Sequence, residues 1–239
     1  MERLLRKLYP KWMPSELLWP LGLLACMLIA EIAILLGYTP YLVMRRMMVW
    51  NIFLAGLPFL FACGAVYFRQ KQGKKLRFLS IVFWPLWLLF FPNAPYMLTD
   101  LIHLNWYQFH PHNASATFTD EPRAWFGLLY ICIGVAAGTA IGMLSLRLLH
   151  NIVARRRGSF IGWCFVGGTC LLSGFGVWIG RCLRFNSWDI FHRPFWLIGE
   201  TLSQLDTRVG KTILIFAAMT AMAYLLLYVF TLEKGVVRR

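Results

Sequence analysis

Six runs of predominantly apolar residues, each long enough to cross a bilayer, dominate this chain: Leu17 to Leu36, Met47 to Phe68, Phe78 to Met97, Trp125 to Leu149, Phe160 to Leu183 and Thr212 to Leu232. A helix rising about 1.5 Å per residue needs about 20 such residues to cover a hydrocarbon core of roughly 30 Å. Inside lipid the backbone must satisfy its own hydrogen bonds, so runs of this length are read as helices. Composition agrees. Of 239 residues, 59% are hydrophobic and 14% charged, with a mean hydropathy of +0.60, against about 45–50% and about 25% in soluble domains. A core of this size cannot hide that excess. The expectation is an all-α polytopic integral membrane helical bundle of six transmembrane helices, forming one transmembrane domain over residues 1–239. A secreted disulfide scaffold, a disordered regulator and an ordinary cytosolic enzyme are excluded.

The formal charge of +14 would suggest nucleic acid in a soluble protein, but in a multi-pass chain the placement of the charges matters more. With the N-terminus cytoplasmic, sixteen of the 24 Lys and Arg fall in inner segments, around Arg3, Arg69, Arg155 and Arg238, and eight fall outside. That asymmetry predicts a plasma-membrane protein with both termini in the cytoplasm, with membrane lipids and not nucleic acid as partners. Asp100, His103, His110, His112, Asp120, Glu121, Asp189, His192, Glu200 and Asp206 then lie in the outer third-to-fourth and fifth-to-sixth loops.

The six cysteines sit in or beside apolar runs without metal-type spacing and read as small buried hydrophobes. Leu23 to Cys26 approaches a lipoprotein cleavage box, but the apolar run continues, so a retained helix is expected. Gly134, Gly138 and Gly142 recur at four-residue intervals, and Gly176 and Gly180 do the same. Such faces suit close crossing within the bundle, with a homo-oligomer through them as the alternative. Glu31 stands alone as an acid at membrane depth, a default suspect for function.

Two polar segments call for explanation. In Phe91-Pro92-Asn93-Ala94-Pro95-Tyr96-Met97-Leu98-Thr99-Asp100-Leu101-Ile102-His103-Leu104, the prolines free backbone carbonyls that need a partner, which Asn93 could supply. A helix continuing past Pro95 would set Tyr96, Asp100, His103 and Tyr107 on one face. In Gly176-Val177-Trp178-Ile179-Gly180-Arg181-Cys182-Leu183-Arg184-Phe185-Asn186-Ser187-Trp188-Asp189, Arg181 and Arg184 lie one turn apart, so both guanidinium forks can serve one anion. Beyond them an apolar stripe from Trp188 to Leu205 predicts an amphipathic interfacial helix over 188–205, kinked at Pro194.

These two segments resemble the signature segments of a bacterial multi-pass membrane family described as domain of unknown function 1361. The resemblance covers most of the chain and the order of its spans. It draws attention to Asn93, Pro95, Tyr96, Thr99, Asp100 and His103, and to Gly180, Arg181, Arg184, Asn186, Ser187, Trp188 and Asp189, while His192 falls outside the family pattern. It implies no activity.

The chemistry therefore rests on the residues. Arg181 and Arg184, with Asn93, Tyr96, Asn186, Ser187 and Asp189, suit recognition of a phosphate-bearing lipid or lipid-linked precursor, with Asp100 and His103 as catalytic groups for hydrolysis or transfer. The pairs Asp100 with His103 and Asp189 with His192 could instead hold a divalent metal, zinc or manganese. Ion pairing of Asp100 or Asp189 with the arginines would explain the carboxylates without metal. A small-solute transporter and a non-catalytic membrane scaffold are the alternatives.

Overall fold

The computed structural model describes residues 18–37, 42–70, 74–110, 118–185 and 192–232. Among them there is no strand. The long helices are α1 (Leu18–Gly37), α2 (Leu42–Gln70), α3 (Lys74–Phe90), α5 (Pro122–Arg157), α6 (Ser159–Trp178) and α8 (Thr207–Leu232); α4 (Asn93–Tyr96) and α7 (Pro194–Ser203) are short. Five stretches, Val43–Arg69, Phe78–Trp106, Pro122–Arg157, Ser159–Leu183 and Thr207–Thr231, are long and apolar enough to cross a membrane. The first apolar run folds as the 20-residue α1. This is the all-α membrane bundle that the hydropathy predicts.

The surface is that of a chain dissolved in acyl chains. Leu36, Leu60, Phe78, Ile81, Phe160 and Phe230 are all more than half exposed, whereas Ser80, Thr139, Ser145, Thr169, Ser173 and Thr220 are buried. A water-soluble core would reverse that choice. Three of these hydroxyls bond carbonyls: Ser145 donates to Gly142 O at 2.6 Å and Thr220 to Phe216 O at 2.9 Å within their own helices, and Ser80 donates across to Ala65 O of α2 at 2.7 Å, whereas those of Thr139 and Ser173 have no partner among the described residues. Helices in lipid associate through such packing and polar contacts, because apolar burial gives little net drive there.

α5 is the axis, packed by α1, α2, α4, α6 and α8. Its glycine stripe explains how the neighbours come so close. A Cβ at Gly134 would meet Met48, one at Gly138 would meet Met97, and one at Gly142 would overlap Ala94. The small face is thus filled from within the chain, the close crossing that the four-residue spacing suits. One hydrophobic cluster joins Trp87, Phe91, Leu144, Leu148 and Tyr224; another joins Met44, Met48, Ala94, Met97, Tyr130 and Ile131. The indole N–H of Trp87 donates to Ser145 Oγ at 2.9 Å and ties α3 to α5.

Chain reversals follow local chemistry. α5 ends in Arg155, Arg156 and Arg157, cations that complement the helix C-terminus. Gly158 then reverses the chain into α6 at φ 92° and ψ 159°, a conformation that a side chain would strain. The backbone N–H of Val209 donates to Asp206 Oδ1 at 2.7 Å at the start of α8. α7 runs over ten residues with Pro194 as its first; His192 just before it is helical, and Arg193, at φ −144° and ψ 59°, interrupts the helix directly ahead of the proline. Positions 188–191 of the expected longer helix lie outside the described residues. Phe195, Ile198 and Leu202 of its apolar stripe are exposed, while Leu197 and Thr201 turn inward.

Candidate functional site

Both polar segments depart from α-helical geometry at the same place. After Pro92 and Pro95 interrupt the donor ladder, the chain makes one α turn and then a ten-residue 3₁₀ helix, Met97–Trp106. Runs of 3₁₀ longer than three or four residues are uncommon. Asn93 Nδ2 donates to the Phe90 carbonyl at 2.8 Å and satisfies one acceptor near the break. Opposite, α6 gives way to a π turn, Ile179–Leu183, closed by Arg184 at φ 60° and ψ 32°. Arg184 is the only described non-glycine residue in the left-handed region; glycine or asparagine is the usual occupant of such a helix end. Two small-residue contacts draw the segments together, with Gly176 against Pro92 and Gly180 against the Tyr96 ring.

The 3₁₀ period of three places Tyr96 and Thr99 in one row and Asp100 and His103 in the next. Arg181 reaches across between them. Its Nε donates to Thr99 Oγ1 at 2.8 Å, its Nη2 also bonds Thr99 Oγ1, and the same Nη2 donates to Asp100 Oδ1 at 2.5 Å. The guanidinium carbon lies 4.0 Å from the Tyr96 ring centroid, a cation–π contact. The Thr99 hydroxyl in turn donates to Tyr96 O at 2.6 Å. The second Asp100 oxygen accepts from Asn51 Nδ2 at 2.7 Å, which ties α2 into the junction. Side-chain exposure is 3% for Asp100 and 18% for Arg181. Multiple charge-assisted bonds compensate the burial of such a pair.

Beside this junction lies a cavity of about 660 Å³, within the range of small-molecule sites. Trp50, Leu54, Leu89, Ile102 and Leu197 provide apolar wall, and Asn51, Asn93, Tyr96, His103, Arg181 and Arg184 provide polar wall. His103 Nε2 is buried without a hydrogen-bond partner and stands 3.7 Å from Asp100 Oδ1, beyond hydrogen-bonding range. Its ring meets Trp106 edge-on at 5.0 Å. Asp100 compensates Arg181, whereas no described carboxylate pairs with the exposed Arg184. Among the described residues, the polar wall therefore carries one guanidinium without a carboxylate partner, which suits an anion.

Asn93, Tyr96, Asp100, His103, Arg181 and Arg184 thus come together as the two motifs suggest. Asn186, Ser187 and Asp189 lie outside the described residues, and His192 is described and exposed. Tyr107 does not join the face expected of a continuous α-helix. The backbone turns extended there, and its ring packs against Gly127. Asn51 and Thr99 complete the junction. Thr99 lies within the first motif, whereas Asn51 was signalled only by being an amide inside an apolar run. Of the four residues suited to zinc or manganese, Asp100 has both oxygens engaged by donors, and no group of three or more His, Cys, Asp or Glu gathers among the described residues.

A family profile described as "Protein of unknown function (DUF1361)" matches residues 50–226. That stretch contains both polar motifs and every cavity-lining residue. No curated protein and no solved structure matches the chain.

Proposed function

The chain belongs to the DUF1361 family, and we propose that its cavity is an extracytoplasmic binding site for a phosphate-bearing lipid or lipid-linked precursor. The outward orientation of the site and the cytoplasmic termini rest on the sixteen-to-eight division of Lys and Arg in the sequence. The carrying observation is Arg184. It holds a left-handed conformation that a β-carbon disfavours, at the wall of a cavity that sets a polar side against an apolar one. Strain of this kind, about 1–2 kcal/mol for a non-glycine residue, persists where the surroundings give it a use. A guanidinium held there can take phosphate oxygens while an acyl or polyprenyl chain follows the Trp50, Leu54 and Leu197 wall.

In this reading Arg181 orients the site and Arg184 carries the anion, with Asn93 and Tyr96 beside it. The engagement of Asp100 by Arg181 and Asn51 makes it a positioning residue. Hydrolysis or transfer at the same site would use His103, the half-buried imidazole with an open Nε2, as the base.

Titration of the purified protein in nanodiscs with a short-chain polyprenyl phosphate, and with the matching alcohol, tests the reading. Binding should require the phosphate. Arg184→Gly should weaken it by about 10–100-fold, the worth of one charge-assisted contact, while relieving strain and leaving the fold intact. Equal binding of phosphate and alcohol, or an unaffected Arg184→Gly, would sink the proposal.

A further inference from the structure

Away from the cavity, Glu31 is buried on α1 with 3% of its surface exposed, and neither carboxyl oxygen has a hydrogen-bond partner. α1 packs on α5, and Gly134 of α5 supplies the notch that admits the carboxyl. A Cβ at that position would lie 3.0 Å from Glu31 Oε1 and closer still to Met48. One turn earlier on α5, Tyr130 is wholly buried and its hydroxyl is likewise unpartnered. The ionisable groups within electrostatic reach of Tyr130 are Glu31, Tyr107 and Arg45. No described cation forms an ion pair with Glu31.

An ionised carboxylate without a counter-charge at this depth is prohibitively costly, and the group neutralises instead. We propose that Glu31, seated in the Gly134 notch beside Tyr130, is a proton-binding site. Its carboxyl carries a proton while α1 is docked on α5. Release of that proton requires the contact between the two helices to open toward water, so the protonation of Glu31 and the seating of α1 are linked. The site shares no residue with the phosphate cavity, and either can fail without the other.

Dicyclohexylcarbodiimide, an apolar reagent that enters lipid, reads the proton directly. The carboxyl oxygen adds to the central carbon, the carboxyl proton passes to one nitrogen, and migration of the acyl group to the other leaves an N-acylurea with no leaving group. An ionised carboxylate lacks the proton that this addition consumes. The full chain in lipid vesicles at neutral pH should acquire one adduct, mapped to Glu31 by peptide mass spectrometry. Glu31→Gln should lose it, and a water-soluble carbodiimide should not reproduce it. Glu31→Gln, a permanently neutral isostere, should also melt within about 2 °C of the parent, a difference under about 1 kcal/mol. A much larger fall in melting temperature would mean that the parent relies on an ionised carboxylate, and would overturn the proposal. So would the absence of an adduct on Glu31, or equal labelling by the water-soluble reagent.

Discussion

Neutralising Asp100 as asparagine should unlock the junction between the two polar motifs. The substitution keeps shape and removes charge. Arg181 Nη2 stands 2.5 Å from Asp100 Oδ1, and Asn51 Nδ2 stands 2.7 Å from Oδ2. Charge centres about 4 Å apart attract by about 4 kcal/mol at an effective dielectric near 20. Water reaches the Arg181 side chain, which is 18% exposed, and screening plus relaxation reduces the loss to about 2–3 kcal/mol. The new amide also opposes a donor to the Asn51 amide unless one of them rotates. At about 2–4 °C per kcal/mol for a chain of this size, the apparent melting temperature should fall by about 5–10 °C. Tryptophan-fluorescence melting of the detergent-purified protein reads that shift. Arg181→Gln should cost a similar amount, and the double variant should cost less than the sum by about 1–3 kcal/mol. Two single variants within about 1 °C of the parent, or strictly additive losses, would refute the coupling.

Packing of the glycines makes a sharper contrast: Gly142→Val on α5 must displace Ala94 and should lower stability by about 3 kcal/mol or abolish folded protein, whereas Gly167→Ala on α6, with nothing within 4 Å of the new methyl, should be neutral or slightly stabilising in the same melting assay. With the native cysteines replaced, Ser203→Cys on the exposed end of α7 should react with a membrane-impermeant maleimide added outside intact cells; labelling only after permeabilisation would reverse the assigned orientation. Metal content of the purified protein should be well below stoichiometric for zinc and manganese, because donors already engage both Asp100 oxygens. One equivalent of metal, lost in both Asp100→Ala and His103→Ala, would refute that expectation and establish the metal reading.

Five of the six expected spans were legible because each of those apolar runs is long enough to cross a membrane, a constraint that no tertiary contact overrides. The two polar motifs were legible because charge and proline are conspicuous in such runs. Their pairing was foreseen only as one reading among several. Which arginine meets Asp100 depends on a 3₁₀ register and a π turn, and neither leaves a periodic signature in sequence. The continuous helix expected past Pro95 failed for that reason, and Tyr107 left the site with it. Asn51 was missed because a lone amide in an apolar run acquires meaning only when a partner from another helix is in view. Arg147 was counted with the basic end of its span. It is buried, with Nε donating to Thr231 Oγ1 at 3.1 Å, Nη1 donating to Asn151 Oδ1 at 2.6 Å, and the Tyr228 ring 4.4 Å away. Loop-charge counting cannot distinguish such a residue from a solvated one.

The most direct measurement of the central claim is the lipid that the protein itself retains. The full chain, purified in mild detergent from its own membrane, would be analysed by native mass spectrometry and lipid extraction beside Arg184→Gly. A phosphate-bearing amphiphile held at about one per chain, and lost from the variant while its melting temperature is unchanged, is the predicted result. A wild-type protein that retains only bulk lipid in bulk proportions, or a variant that retains the same amphiphile as well as the parent, would contradict it.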